Sequence, residues 1–233
     1  MMKRKKIGML FCLGLLLAIT GTATVRSLAV QARVYTAPLV VIDPGHGGAD
    51  GGAVAPDGTQ EKEINLAISL PLADMLRVMG YQVSLTRTTD DMVGGVGSTM
   101  RERKVNDTKN RLAQAEQAAI TVSIHQNSYP EEYVHGAQVF YPSEGGDEPV
   151  AESGRAARII QKALNSSVNR DKARAELGKN DVFLLRNITC PTVIVECGFM
   201  SSREESRKLR NTSYQAKLAG VISKSICKYI EEK

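Results

Sequence analysis

An α/β sandwich on a largely parallel sheet is the fold this sequence predicts, and two observations predict it. Apolar runs of strand length recur along the chain, and longer stretches with helical period lie between them. Strands buried on both faces and joined by helices are the pattern of parallel sheets. At 233 residues and 42% apolar composition, the chain has material for one domain with a real core.

Residues 1–32 read as a targeting segment. "MMKRKK" is basic, "IGMLFCLGLLLAITGTATV" is apolar, and "AVQA" offers small residues for cleavage after Ala32. Ile7 to Val25 is near the length that crosses a bilayer, about 20 residues. The segment is therefore a signal peptide or an N-terminal membrane anchor, and a membrane is expected as partner only through it. Cys12 follows a bulky Phe11 and belongs to the apolar run. Residues 33–38 form a linker, and 39–233 make up the domain that carries the chemistry.

Strands are expected at "LVVID" (39–43), "YQVSLT" (81–86), "ITVSIH" (120–125), "AQVFY" (137–141), "VFLL" (182–185) and "TVIVE" (192–196). Helices are expected near 61–79, 101–118, 150–168 and 213–231, with Pro71 kinking or splitting the first of them. The Gly-rich "VGGVGS" (93–98), "PSEGGDEP" (142–149) and "NRDKARAELGKN" (169–180) read as loops. There is no internal repeat and no second module.

The net charge of +5 is no argument for a nucleic-acid partner. Lys3, Arg4, Lys5, Lys6 and Arg26 account for the whole excess, so the body from residue 33 onward holds 25 charges of each sign. Cys190, Cys197 and Cys227 are odd in number and lack CxxC spacing, which argues against both a disulfide framework and a cysteine zinc site.

Three chemistry-bearing side chains fall at strand ends, where ligands gather in such sheets. His46 lies three residues past the first strand, His125 closes "ITVSIH", and Glu196 closes "TVIVE". Helical geometry adds a fourth. In the first helix Ile64, Ile68, Leu72, Met75 and Met79 form one apolar stripe, and Glu61 shares their face while Lys62 and Glu63 turn away. A carboxylate pointing inward is costly unless paired, and a cation is its natural partner. Two histidines and one carboxylate match the ligand count of a catalytic zinc site, which keeps a fourth position open. Glu196 is then left as the acid/base. The glycines around His46 let the backbone turn tightly and let a substrate approach.

With these residues in view, the sequence resembles the zinc-dependent N-acetylmuramoyl-L-alanine amidases of the amidase-3 family. "DPGHGGADGGAV", "QEKEINLA", "SIHQNS" and "VIVECGFMSS" stand in that family's order across residues 39–230. The resemblance implies a twisted six-stranded sheet flanked by helices on both faces, of the phosphorylase/hydrolase-like type. It implies Zn²⁺ held by His46, Glu61 and His125, with Glu196 as the catalytic glutamate. It also implies peptidoglycan as substrate, cut at the amide between the lactyl group of N-acetylmuramic acid and L-alanine. The short chain, "GSTMRERKVNDTKNRLAQAE" and "FLLRNITCPTVIVECGFMSSREES" are most similar to the germination-specific members of spore-formers, which act on the cortex. Some clostridial members need a lipoprotein activator, so a lipoprotein partner is carried as an expectation. Gln126 stands where the family often has Ala, and Cys197 where it has a commoner apolar residue. The location implied is extracytoplasmic, in the cell wall or between the forespore membranes.

Alternatives stand beside these expectations. Glu63 is the rival ligand, and His135 reads as a solvated loop residue. Asn127 either orients substrate or makes a turn hydrogen bond. Arg101, Arg103 and Arg111 either meet stem-peptide carboxylates or line a solvated helix face, the second being favoured. Strand alternation points Cys197 away from Glu196. A zinc carboxypeptidase or sugar deacetylase could use the same ligand count, whereas a wall-binding module would need neither zinc nor Glu196.

Overall fold

A computed structural model describes residues 37–144 and 148–232; the targeting segment and most of the linker lie outside them. Six strands, β1 (Leu39–Pro44), β2 (Gln82–Leu85), β3 (Ile120–Asn127), β4 (Gln138–Tyr141), β5 (Leu177–Gly178) and β6 (Thr192–Phe199), form one sheet in the order β2-β1-β3-β6-β4-β5. The helices are α1 (Glu61–Val78), α2 (Met100–Ala115), α3 (Glu148–Ser167), the single turn α4 (Phe183–Arg186), α5 (Arg203–Leu209) and α6 (Thr212–Glu231).

The expected α/β class holds. β2, β1, β3 and β6 run parallel. The sheet is not parallel throughout, because β4 runs antiparallel to β6 and carries β5 parallel to itself. Burial on both faces explains the β-branched content of the central strands, since such side chains pack well on a pleated surface.

The two faces differ. Val40, Ile42, Ile120, Val122, Ile124, Val193 and Val195 pack into the large core with Ile64, Ile68 and Leu72 of α1, Ile160 and Leu164 of α3, and Ile222 and Ile226 of α6. The alternate residues face the other way. There Val41 packs with Ala115 and Cys190, and Phe140 and Ile194 pack with Leu184 and Leu185 of α4. This second face carries the polar residues Asp43, Ser123, His125 and Glu196 along β1, β3 and β6; β3 and β6 continue past His125 to Asn127 and past Glu196 to Phe199, which corrects the expectation that these two side chains close their strands.

Several expectations need correction. "VFLL" falls on the helical turn α4 rather than a strand, and the strand preceding β6 is β5, Leu177–Gly178, inside a stretch read as loop. α1 runs unbroken through Pro71. Its stripe ends on Leu76, fully buried, while Met79 is exposed. α2 begins at the capping box of Thr99 and Glu102 and stops at Ala115, short of residue 118. α5 was not anticipated. Cys190, Cys197 and Cys227 are free thiols, as their spacing indicated. Among the described residues no helix is long and apolar enough to cross a membrane.

Candidate metal centre

The centre is assembled from three segments that leave the sheet or approach it. Past β1 the chain turns at Gly45, and His46 takes φ +61°. That left-handed conformation costs a residue with a Cβ about 1–3 kcal/mol and persists only where its surroundings enforce it. Two arginines enforce it by donating to consecutive carbonyls. Arg111 bonds Pro44 O at 2.8 Å and His46 O at 2.6 Å, while Arg87 bonds Pro44 O and Gly45 O, both at 3.0 Å.

Two glycines make room for His125 and Glu61. A Cβ on Gly45 would lie 2.3 Å from the His125 ring, and one on Gly52 would lie 2.5 Å from Glu61 Oε2. Gly52 also has φ +69°. The expected role of these glycines, tight turning and access, is thus joined by clearance for His125 and Glu61.

The side chains converge. Asp50 accepts from His46 Nδ1 at 2.9 Å, which leaves Nε2 facing Glu61 Oε2 at 3.2 Å. His125 Nδ1 lies 2.9 Å from Glu61 Oε1. The two imidazoles meet edge to face with centroids 4.9 Å apart. One donor atom from each of His46, Glu61 and His125 falls within a 4.8 Å span. Glu61 is oriented by the backbone N–H of Ala53 and Gln126 and by the Asn65 amide, at 2.8, 3.0 and 3.2 Å. Burial opposes its ionisation, yet the two imidazoles hold its carboxyl far below the usual carboxylate range. Burial likewise opposes charging His46, but Asp50 and Glu61 raise its pKa to about 9. Two imidazoles and one carboxylate, with hydrogen bonds behind His46 and Glu61, fit a borderline divalent cation such as zinc.

Glu196 stands beside this cluster because β3 and β6 are registered with His125 opposite Glu196. Its Oε2 is buried with no hydrogen-bond partner among the described residues, and burial raises its pKa to about 7. A cleft of about 450 Å³ opens over these groups, with Lys104 and Lys179 at its polar parts and Phe140, Phe183 and Ile194 on its apolar wall.

Residues 40–228 match the family of N-acetylmuramoyl-L-alanine amidases. The chain belongs to this amidase family. A germination-specific N-acetylmuramoyl-L-alanine amidase of Bacillus subtilis is 33% identical over 84% of this chain and 81% of its own length. The uncharacterised YqiI of the same organism is 34% identical over 93% and 97%. Among solved structures, the CwlD amidase of Clostridioides difficile, in complex with the GerS lipoprotein, superposes with TM-score 0.78 and 33% identity, covering 84% of this chain and all of that one. As a family member the protein is a hydrolase of peptidoglycan.

Within this amidase the remaining candidates separate cleanly. Glu63 is exposed and outside the cluster. Cys197 is fully buried in the large core, on the face opposite Glu196. His135 bonds Tyr133 O and Asp171, apart from the cluster. Asn127 lines the cleft while its side chain accepts from Ser128 N at 2.8 Å, the turn hydrogen bond anticipated for it. Arg101 and Arg103 are exposed, but Arg111 is 5% exposed, which corrects its placement on a solvated face. It pairs with Asp43 and Asp107 beneath the His46 turn.

Asp50, Asn65, Arg87 and Asp43 escaped the sequence reading. Asp50 follows His46 by four residues, a spacing without meaning in a loop. Asp107 and Arg111, also four apart, are readable as an inward pair only if the inner helix face is known to be polar.

The Asp43 carboxyl predicts acid sensitivity. Burial would raise its pKa, but Arg111 and hydrogen bonds from Ser123 and Thr86 outweigh that and hold it at about 2. The folded value lies below the unfolded one, so the stabilisation is complete above about pH 4 and disappears as pH falls toward 2. Its size is about 2 kcal/mol at ~1.4 kcal/mol per pKa unit. Urea midpoints measured between pH 5 and pH 2 should fall for the wild type and fall less for Asp43→Asn.

Proposed function

We propose that His46, Glu61 and His125 hold a zinc ion and that Glu196 is the acid/base of a peptidoglycan amidase. The single observation that carries this reading is the convergence of three donor groups within 4.8 Å beside a carboxyl whose buried Oε2 has no hydrogen-bond partner among the described residues. When bound, zinc supplies Lewis-acid polarisation of a carbonyl and of the attacking water, whose pKa it can bring to about 7.

The chain's own residues do the rest. Glu196 takes a proton from the attacking water and passes it to the departing amine of L-alanine, so that the peptide leaves neutral at nitrogen. A carboxyl raised by burial toward neutrality suits both halves of that exchange. Asp50, held by Lys104 at 2.7 Å, keeps the His46 ring turned toward the centre. The cleft's apolar wall excludes water from one side of the scissile bond.

The likeness to the germination-specific amidase supports a spore role, in cortex peptidoglycan where muramic acid is converted to muramic-δ-lactam. The likeness to an amidase solved with a lipoprotein supports a lipoprotein activator. Residues 1–32 are a signal peptide or membrane anchor in this reading, and residues 39–233 the catalytic domain, placed outside the cytoplasm.

Metal analysis and mass spectrometry of digested peptidoglycan test the proposal together. The wild type should hold one equivalent of zinc and release peptides that begin with alanine. His125→Ala should lose metal and turnover together. Stoichiometric zinc in that variant, or products cut within the stem peptide, would overturn the reading.

A further inference from the structure

We infer that Asn65 is a positioning residue that ties together the three segments bearing His46, Glu61 and His125. The inference rests on the metal reading above and concerns a residue that touches no substrate.

Asn65 is fully buried on α1, one turn after Glu61. Its amide nitrogen carries two hydrogens and both are used. One goes to Gly45 O at 3.1 Å, on the turn that presents His46; the other goes to Glu61 Oε1 at 3.2 Å. Its oxygen accepts from Gln126 Nε2 at 3.1 Å, on the strand residue next to His125. A single side chain therefore bonds the end of β1, the first turn of α1 and the end of β3.

Chemistry fixes which way the amides point. Gly45 O and Glu61 Oε1 are both acceptors, so the Asn65 NH₂ must face them and its oxygen must face Gln126. Gln126 is then obliged to present its own NH₂. Gln126 also donates its backbone N–H to Glu61 Oε1 at 3.0 Å, so both of its donors serve the same carboxylate, one directly and one through Asn65. An Ala at position 126 would keep the backbone bond and lose the second. Partners behind a metal ligand of this kind typically hold about 10- to 100-fold in metal affinity.

Zinc affinity, measured by competition with a chromophoric chelator while circular dichroism monitors folding, decides the matter. Asn65→Ala should stay folded and bind zinc about 10- to 100-fold more weakly than the wild type. Leu72→Ala removes a fully buried side chain from the same helix without touching the centre; it should lower thermal stability and leave zinc affinity unchanged. Wild-type affinity in Asn65→Ala, or an equal loss in Leu72→Ala, overturns the positioning role. If Asn65→Ala does not fold, Gln126→Ala takes its place, with a several-fold weaker affinity expected and an unchanged one overturning the inference. A wild type that binds no zinc at all would sink the metal reading itself, and this inference with it.

Discussion

Glu196→Gln should abolish release of alanine-terminated peptide while the zinc content of the protein stays at one equivalent. The amide keeps the shape of the carboxyl and cannot take a proton, so what disappears is proton transfer, typically worth about 10² to 10⁴ in rate. The three proposed ligands lie on other residues, and His46 and Glu61 keep their own hydrogen bonds. A second consequence separates this variant from a misfolded one. An acid whose pKa burial lifts to about 7 destabilises the folded chain once it ionises, so the metal-free variant at pH 8 should melt at or above the wild-type temperature. An inactive protein that is no less stable is the signature of a residue kept for chemistry. Wild-type turnover by the Gln variant would remove Glu196 from the mechanism.

Arg111→Leu should produce the largest loss of stability of any change near the site. Asp43 is 2% exposed and receives Arg111, Ser123 and Thr86; without Arg111 its buried carboxylate loses its paired cation. Breaking such a pair from one side costs about 3–5 kcal/mol. For a domain of this size that corresponds to a fall of roughly 10 °C in Tm. Arg111→Lys should fare in between, because one ammonium cannot reach Asp43, Asp107, Pro44 O and His46 O together. Adding Asp43→Asn to Arg111→Leu should restore part of the loss, and strict additivity of the two changes would show that the pair is not coupled. Zinc affinity should fall as well, since the His46 turn loses two of the bonds that hold it in its left-handed conformation.

How much of this was legible in the sequence depends on whether a feature leaves a period. His125 and Glu196 stand at the ends of apolar runs and Glu61 stands in helical phase with Ile64 and Ile68, so each could be placed before any coordinates. Leu177–Gly178 has only two residues, both exposed, too few for any alternation to register. "VFLL" is apolar at every position, and such a run reads equally as strand or helical turn. The direction of β4 is silent for a related reason: alternation is the same whichever way a strand runs. Arg111 was misplaced because the inner face of α2 is ionic, with Asp107 and Arg111 buried where apolar residues mark an inward face elsewhere. The carbonyl bonds that hold the His46 turn, and the Asn65 amide that reaches three segments, arise from tertiary approach across twenty residues or more and have no local signature.

The pairing of His125 with Glu196 across two adjacent strands carries one more implication. The spacing between these two side chains is measured out by the backbone ladder itself, and sliding one strand by a single residue would turn Glu196 to the far side of the sheet. Heat or denaturant should therefore switch this enzyme off in step with melting of its central strands, leaving no crippled intermediate that still cuts.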